Sequence, residues 1–166
     1  MSLPTSGAPS RQLLATHAEY VECFDLLLAL ATRELRIFDP TLAQLELESP
    51  ARAEQLAAFL GQGADVRLMI ALHDPAPLLS RMPRLRRLCA LFAPQIEIRQ
   101  TFGEAARAQD CFVIADLEHL ARRPMASQPR GAFLCGEPQE AALYRERFDA
   151  IWESSEPAAP VTTLGL

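Results

Sequence analysis

Gln109-Asp110-Cys111-Phe112-Val113-Ile114-Ala115-Asp116 is the stretch on which the fold turns. Its apolar centre, Cys111 to Ala115, reads as a strand, and Asp116 closes it with a carboxylate at the strand end. Working outward, Ile96-Glu97-Ile98-Arg99 and Ala132-Phe133-Leu134 read as neighbouring strands, and Glu137 to Trp152 as a helix. Upstream, Val66-Arg67-Leu68-Met69-Ile70-Ala71-Leu72 is a nearly continuous apolar run, which suits a strand covered on both faces at the centre of a sheet.

The intervening segments have helical spacing. Tyr20, Val21, Phe24, Leu27, Leu28 and Ala31 recur at three and four residues, predicting an amphipathic helix from His17 to near Arg33. Leu35-Arg36-Ile37-Phe38 follows as a short strand, stopped by Asp39-Pro40 because proline cannot donate to a sheet. Ser49-Pro50 opens another helix, with Ser as cap, Pro in the first turn, a buried face of Leu56, Phe59 and Leu60, and Gly61 as stop. Leu78 to Phe92 reads as a helix interrupted at Pro83, with Leu85, Leu88 and Phe92 inward and Arg84 and Arg87 outward. Alternating helices and strands imply a layered α/β domain.

At 166 residues, with 49% hydrophobic and 22% charged residues, the chain has the size and composition of one globular domain. Residues 15–153 are expected to form it, with residues 1–14 a mobile lead-in and residues 154–166, which carry Glu156-Pro157-Ala158-Ala159-Pro160, a disordered tail. No apolar run reaches a membrane span and no basic-then-apolar leader opens the chain, so a cytoplasmic location is expected. Cys23, Cys89, Cys111 and Cys135 are scattered, without a Cys-x2-Cys pair, and read as buried thiols.

All sixteen basic residues are arginine. That excludes a lysine Schiff base and a phosphate-loop lysine outright. The net charge of −5 argues against broad, non-specific nucleic-acid binding. No Gly-x-Ser-x-Gly elbow or dinucleotide fingerprint appears, and Gly61-Gln62-Gly63 follows a helix, so no cofactor is expected.

Gln109, Cys111 and Asp116 stand at the spacing of the phospholipase D signature, His-x-Lys-x4-Asp, and the stretch resembles that signature with His and Lys replaced. Phe148-Asp149-Ala150-Ile151-Trp152 is similar to the Phe-x-x-x-Trp that often ends the closing helix of a phospholipase D half-domain. The resemblance covers most of the chain and implies a mixed β-sheet flanked by helices on both faces. In that family one signature His attacks phosphorus, the Lys holds phosphate oxygens, and two signatures meet at the junction of two halves or subunits. Gln109 and Cys111 then leave neither nucleophile nor cation, while Asp116 matches the residue that supports the fold. The Gly-Ser-x-x-Asn element that usually follows the signature is absent around Gly131. The resemblance thus implies a non-catalytic phospholipase D-like domain that acts by binding, as a homodimer.

Two other chemistries compete for the same fold. Asp39, His73, Asp74, Asp116 and His119 sit at expected strand ends, and convergence of Asp39, His73, Asp74 and His119 on an ion would make a diverged metal-dependent hydrolase or phosphodiesterase. Each also has a local reading: Asp39 and Asp74 precede proline and start turns, and His119 falls in a polar loop. A strand-end carboxylate such as Asp116 normally accepts backbone or Arg hydrogen bonds. Arg81, Arg84, Arg86 and Arg87, joined by Arg99, Arg107, Arg122 and Arg123, are the candidate anion-binding series, for a phosphorylated ligand, a nucleic-acid backbone or an acidic partner. Opposed to this, helix-face Arg commonly pairs with Glu, and 21 acidic residues supply partners. A purely regulatory module would instead bind a partner protein and no small ligand.

Overall fold

The computed structural model describes residues 8–158. Its elements in chain order are β1 (Ser10–Leu14), α1 (His17–Leu30), β2 (Glu34–Asp39), α2 (Pro50–Leu60), β3 (Arg67–Leu72), α3 (Ala76–Arg81), α4 (Pro83–Leu91), β4 (Ile96–Gln100), β5 (Cys111–Ala115), β6 (His119–Arg123), β7 (Gly131–Cys135), α5 (Pro138–Glu153) and β8 (Glu156–Pro157). Among the described residues the strands form one mixed sheet in the order β1-β7-β6-β5-β2-β3-β4-β8. β2, β3 and β4 run parallel, joined by helical crossovers, and the other neighbours pair antiparallel.

The caps follow the sequence. Thr16 Oγ1 accepts from the Glu19 N–H at the start of α1, and Ser49 accepts from Arg52 N–H at the start of α2, ahead of Pro50. Pro83 divides the third helical segment into α3 and α4, because its ring cannot sit within a continuous helix.

The sheet is buried on both faces. Cys111, Val113 and Ala115 of β5 pack with α1, α2, α3 and α4 on one side, while Phe112 and Ile114 meet α5 on the other through Phe148 and Ile151. Phe148 is fully buried and stacks on Trp152, centroids 5.5 Å apart. Three sheet arginines lie over the aromatic residues of α5: Arg122 over Tyr144, Arg36 over Phe148 and Arg99 over Trp152.

Four expectations are corrected. Ser10–Leu14, placed in a lead-in, forms edge strand β1 against β7; it buries Leu14 alone, so its apolar signal is too short to read. The part of the lead-in at residues 1–7 lies outside the described residues, as does the tail from 159 to 166. Glu156–Pro157, placed in that tail, pairs with β4, and the Ala158 N–H donates to Ile98 O at 3.0 Å. His119 opens strand β6 instead of lying in a loop; polar residues at its buried positions hid the strand. β3 is interior but not central: β2 and β5 occupy the middle, since β6, β7 and β1 extend the sheet on the far side.

Candidate functional site

The hairpin from β5 to β6 sets the site's depth. Asp116 adopts φ +53°, a left-handed conformation that aspartate tolerates better than most residues, and turns the chain within residues 116–118. Its carboxylate accepts from the N–H groups of Thr32, Arg33 and Glu34 and from the Thr32 hydroxyl, at 2.8 to 3.3 Å. Burial alone would raise its pKa, but these donors outweigh it and hold the carboxyl below the ordinary range. Asp116 thus locks the β5 end to the α1–β2 connection.

The opposite end of β5 opens on a cavity of about 580 Å³, within the range of small-molecule sites. Asp39, Thr41 and Gln44 line it together with Gln109, Met125 and Ser127. Asp39 is only 4% exposed and accepts from Thr41 N–H at 3.1 Å and Leu42 N–H at 2.7 Å. Burial pushes its pKa up, against the two N–H groups and the charge of Arg123.

Cys111 lies buried behind this opening, and burial pushes its thiol up to about 12, with Asp39 adding to the rise and Arg123 opposing it. Directly opposite Cys111 in the β5–β6 register is Arg123, 2% exposed. Its Nε donates to Gln128 O at 3.0 Å, and its Nη2 donates to Gln44 Oε1 at 2.8 Å and to Ala126 O. Nη1 has no hydrogen-bond partner among the described residues, and no carboxylate there lies within ion-pair distance of the guanidinium. The Arg123 Cζ sits 4.9 Å from the Tyr20 ring centroid. Sequence reasoning named Arg123 only as one of several arginines; the signal available was its position across the hairpin from Cys111.

The metal-site candidates do not converge. His73 Nε2 donates to Ala108 O at 2.9 Å, leaving Nδ1 to accept from Thr101 Oγ1 at 2.6 Å. Asp74 accepts from Ala76 N–H, and His119 Nδ1 accepts from Gly136 N–H at 3.0 Å. Among the described residues no three His, Cys, Asp or Glu side chains are arranged to hold a metal ion.

The arginine series also divides. Glu48 accepts from the Arg84 N–H and pairs with its guanidinium, while Arg81 and Arg87 are exposed and Arg86 is half-buried. None of these four lines the cavity. Arg99 and Arg122 are engaged with α5, and Arg107 lines a separate open cleft beside Arg147. Among the described residues no helix is long and apolar enough to cross a membrane.

This sheet, its helical layers and the closing α5 make an α/β fold similar to that of phospholipase D family proteins. NucT from Helicobacter pylori superposes with a TM-score of 0.64 at 9% identity, over 90% of this chain and 99% of that one. Nuc, a phospholipase D family member from Salmonella typhimurium, gives 0.60 at 14% identity over 90% of this chain and 98% of that one. TrmBL2, an archaeal chromatin protein with a novel mode of DNA binding, gives 0.63 at 16% identity over 89% of this chain; the chain spans 54% of that protein's length. No curated protein matches the sequence. The chain belongs to the family described as domain of unknown function DUF7931, whose family model matches residues 16–164.

Proposed function

We propose that this domain is a phospholipase D-like binding module whose site is the cavity beside Asp39 and Gln109, and that it performs no phospholipase D chemistry. The observation that carries this reading is the pairing of an open cavity of about 580 Å³ with a lining that includes Gln109, while Cys111 is buried behind it. Gln109, Cys111 and Asp116 are taken as the degenerate signature positions. An amide is a poor nucleophile at phosphorus, and a desolvated thiol with a raised pKa supplies neither a nucleophile nor a positive charge.

The ligand in this reading is a small anion. The Arg81, Arg84, Arg86 and Arg87 series is the weaker anion locus, since Glu48 already engages Arg84. The metal-dependent hydrolase has less support, because Asp39, His73, Asp74 and His119 are each engaged in separate local hydrogen bonds. A nucleic-acid backbone stays among the candidate ligands, because a chromatin protein that binds DNA has a similar fold, although this chain carries a net charge of −5. The homodimer implied by the resemblance and a cytoplasmic location complete the proposal.

Two measurements test it. Hydrolysis of bis(p-nitrophenyl) phosphate, with and without chelator, should stay at background; turnover at the level of a phosphodiesterase would overturn the reading. A native mass spectrum of gently purified protein should show a dimer, and a monomer would remove that part of it.

A further inference from the structure

Among the described residues Arg123 is the one buried arginine, and it sits beside the cavity. Gln44 and Ala126 line the cavity and are also the acceptors of Arg123 Nη2, so the guanidinium lies immediately behind their wall. Every acceptor around it is neutral: the Gln128 and Ala126 carbonyls and the Gln44 amide oxygen. A buried cation ordinarily requires a charged or fully hydrogen-bonded environment, yet Nη1 is unpartnered among the described residues. Gln44 is exposed and supplies the one side-chain acceptor of the set, whereas the two carbonyls belong to the backbone.

We infer that Arg123 is an oxyanion receptor capped by Gln44: a singly charged, two-oxygen anion displaces Gln44 Oε1 from Nη2 and takes the vacant donor of Nη1. This rests on the binding reading given above. The exchange replaces a neutral acceptor with a charged one across a planar fork, which is the stronger geometry for guanidinium. One guanidinium, with the Asp39 carboxylate in the same lining, disfavours a phosphomonoester dianion, so the ligand is a carboxylate or a phosphodiester. Its body fills the partly apolar space beside Ala43 and Met125, with Thr41, Gln109 and Ser127 available to polar substituents.

Arg123 faces Cys111 on the adjacent strand, on the same side of the sheet.

Benzoate and dibutyl phosphate serve as the two probes, with benzamide as the neutral control, titrated by calorimetry into the full chain. One of the two anions should bind saturably and benzamide should not; whichever binds identifies the anion class. Gln44→Ala should tighten binding about fivefold by removing the neutral competitor. Gln44→Glu should abolish it and raise the melting temperature of the free protein, since its own carboxylate occupies the fork. Ala43→Trp should block the cavity. Loss with Ala43→Trp but unchanged binding with Gln44→Glu would leave the cavity reading standing and sink the role of Arg123. Unchanged binding in both variants would remove both, and no binding by wild type and Gln44→Ala would overturn the receptor.

Discussion

Cys111 and Arg123 face each other across the β5–β6 pair, so a small neutral thiol and a large cation share one buried layer beside Tyr20. The pairing determines what residue 111 tolerates. Cys111→Lys would bring a second buried cation against Arg123, and no described carboxylate lies within ion-pair distance of that guanidinium. Denaturant unfolding should show a loss on the order of 3 kcal/mol. A stability equal to that of the parent would mean that solvent reaches this layer.

Gly131 is required by the backbone of the neighbouring strand β6. A methyl group there would stand 2.4 Å from the Arg122 carbonyl oxygen and 2.9 Å from Arg123 Cγ. The first contact is with backbone and cannot be relieved by a rotamer change. Gly131→Ala is therefore expected to cost about 1 to 3 kcal/mol, read from the shift of the denaturation midpoint at constant slope.

Asp116 gives the fold an acid-sensitive clamp. Its folded pKa lies below the unfolded value of about 3.9, so its contribution is complete above that pH and is lost as pH falls through the lowered folded value. As pH falls from about 5 to about 2 the melting temperature of the wild type should fall more steeply than that of Asp116→Asn. At pH 7, Asp116→Ala should cost about 2 to 3 kcal/mol, because it leaves the N–H groups of Thr32, Arg33 and Glu34 without their acceptor. Parallel pH profiles for wild type and Asp116→Asn would exclude the clamp.

The elements with their own periodicity were legible: α1, α2, the break at Pro83, β3, β5 and α5 all follow from apolar spacing, caps and proline chemistry. β1, β6 and β8 were not, because each is defined by its partner. β1 buries a single leucine, β6 carries His and Arg at buried positions, and β8 contains a proline and spans two residues. The cavity was half legible. Asp39 and Gln109 drew notice from turn and signature spacing, but Gln44 reaches Arg123 from 79 residues away, a contact that exists only after the sheet has formed.

The thiols yield a chemical prediction. Burial pushes Cys23 and Cys111 up to about 12 and half-buried Cys89 up to about 11, and Cys135 is raised as well. At pH 8 the folded protein should therefore react slowly with Ellman's reagent and release its full thiol complement only in guanidinium. A rapid burst from the folded state would show that one of these side chains is activated or exposed.

Trp152, the chain's one tryptophan, reports on the other face of the sheet. The Arg99 Cζ lies 4.4 Å from the indole centroid, and its Nη1 donates to Trp152 O at 3.0 Å, so one side chain grips both the ring and the end of α5. Arg99→Ala removes both contacts and should cost about 1 to 2 kcal/mol, together with a change in Trp152 emission. Arg99→Lys keeps the charge but loses the flat guanidinium that stacks on indole, so it should recover less than half of that loss. Full recovery by lysine would mean that charge alone, and not the planar stack, holds the helix end against β4.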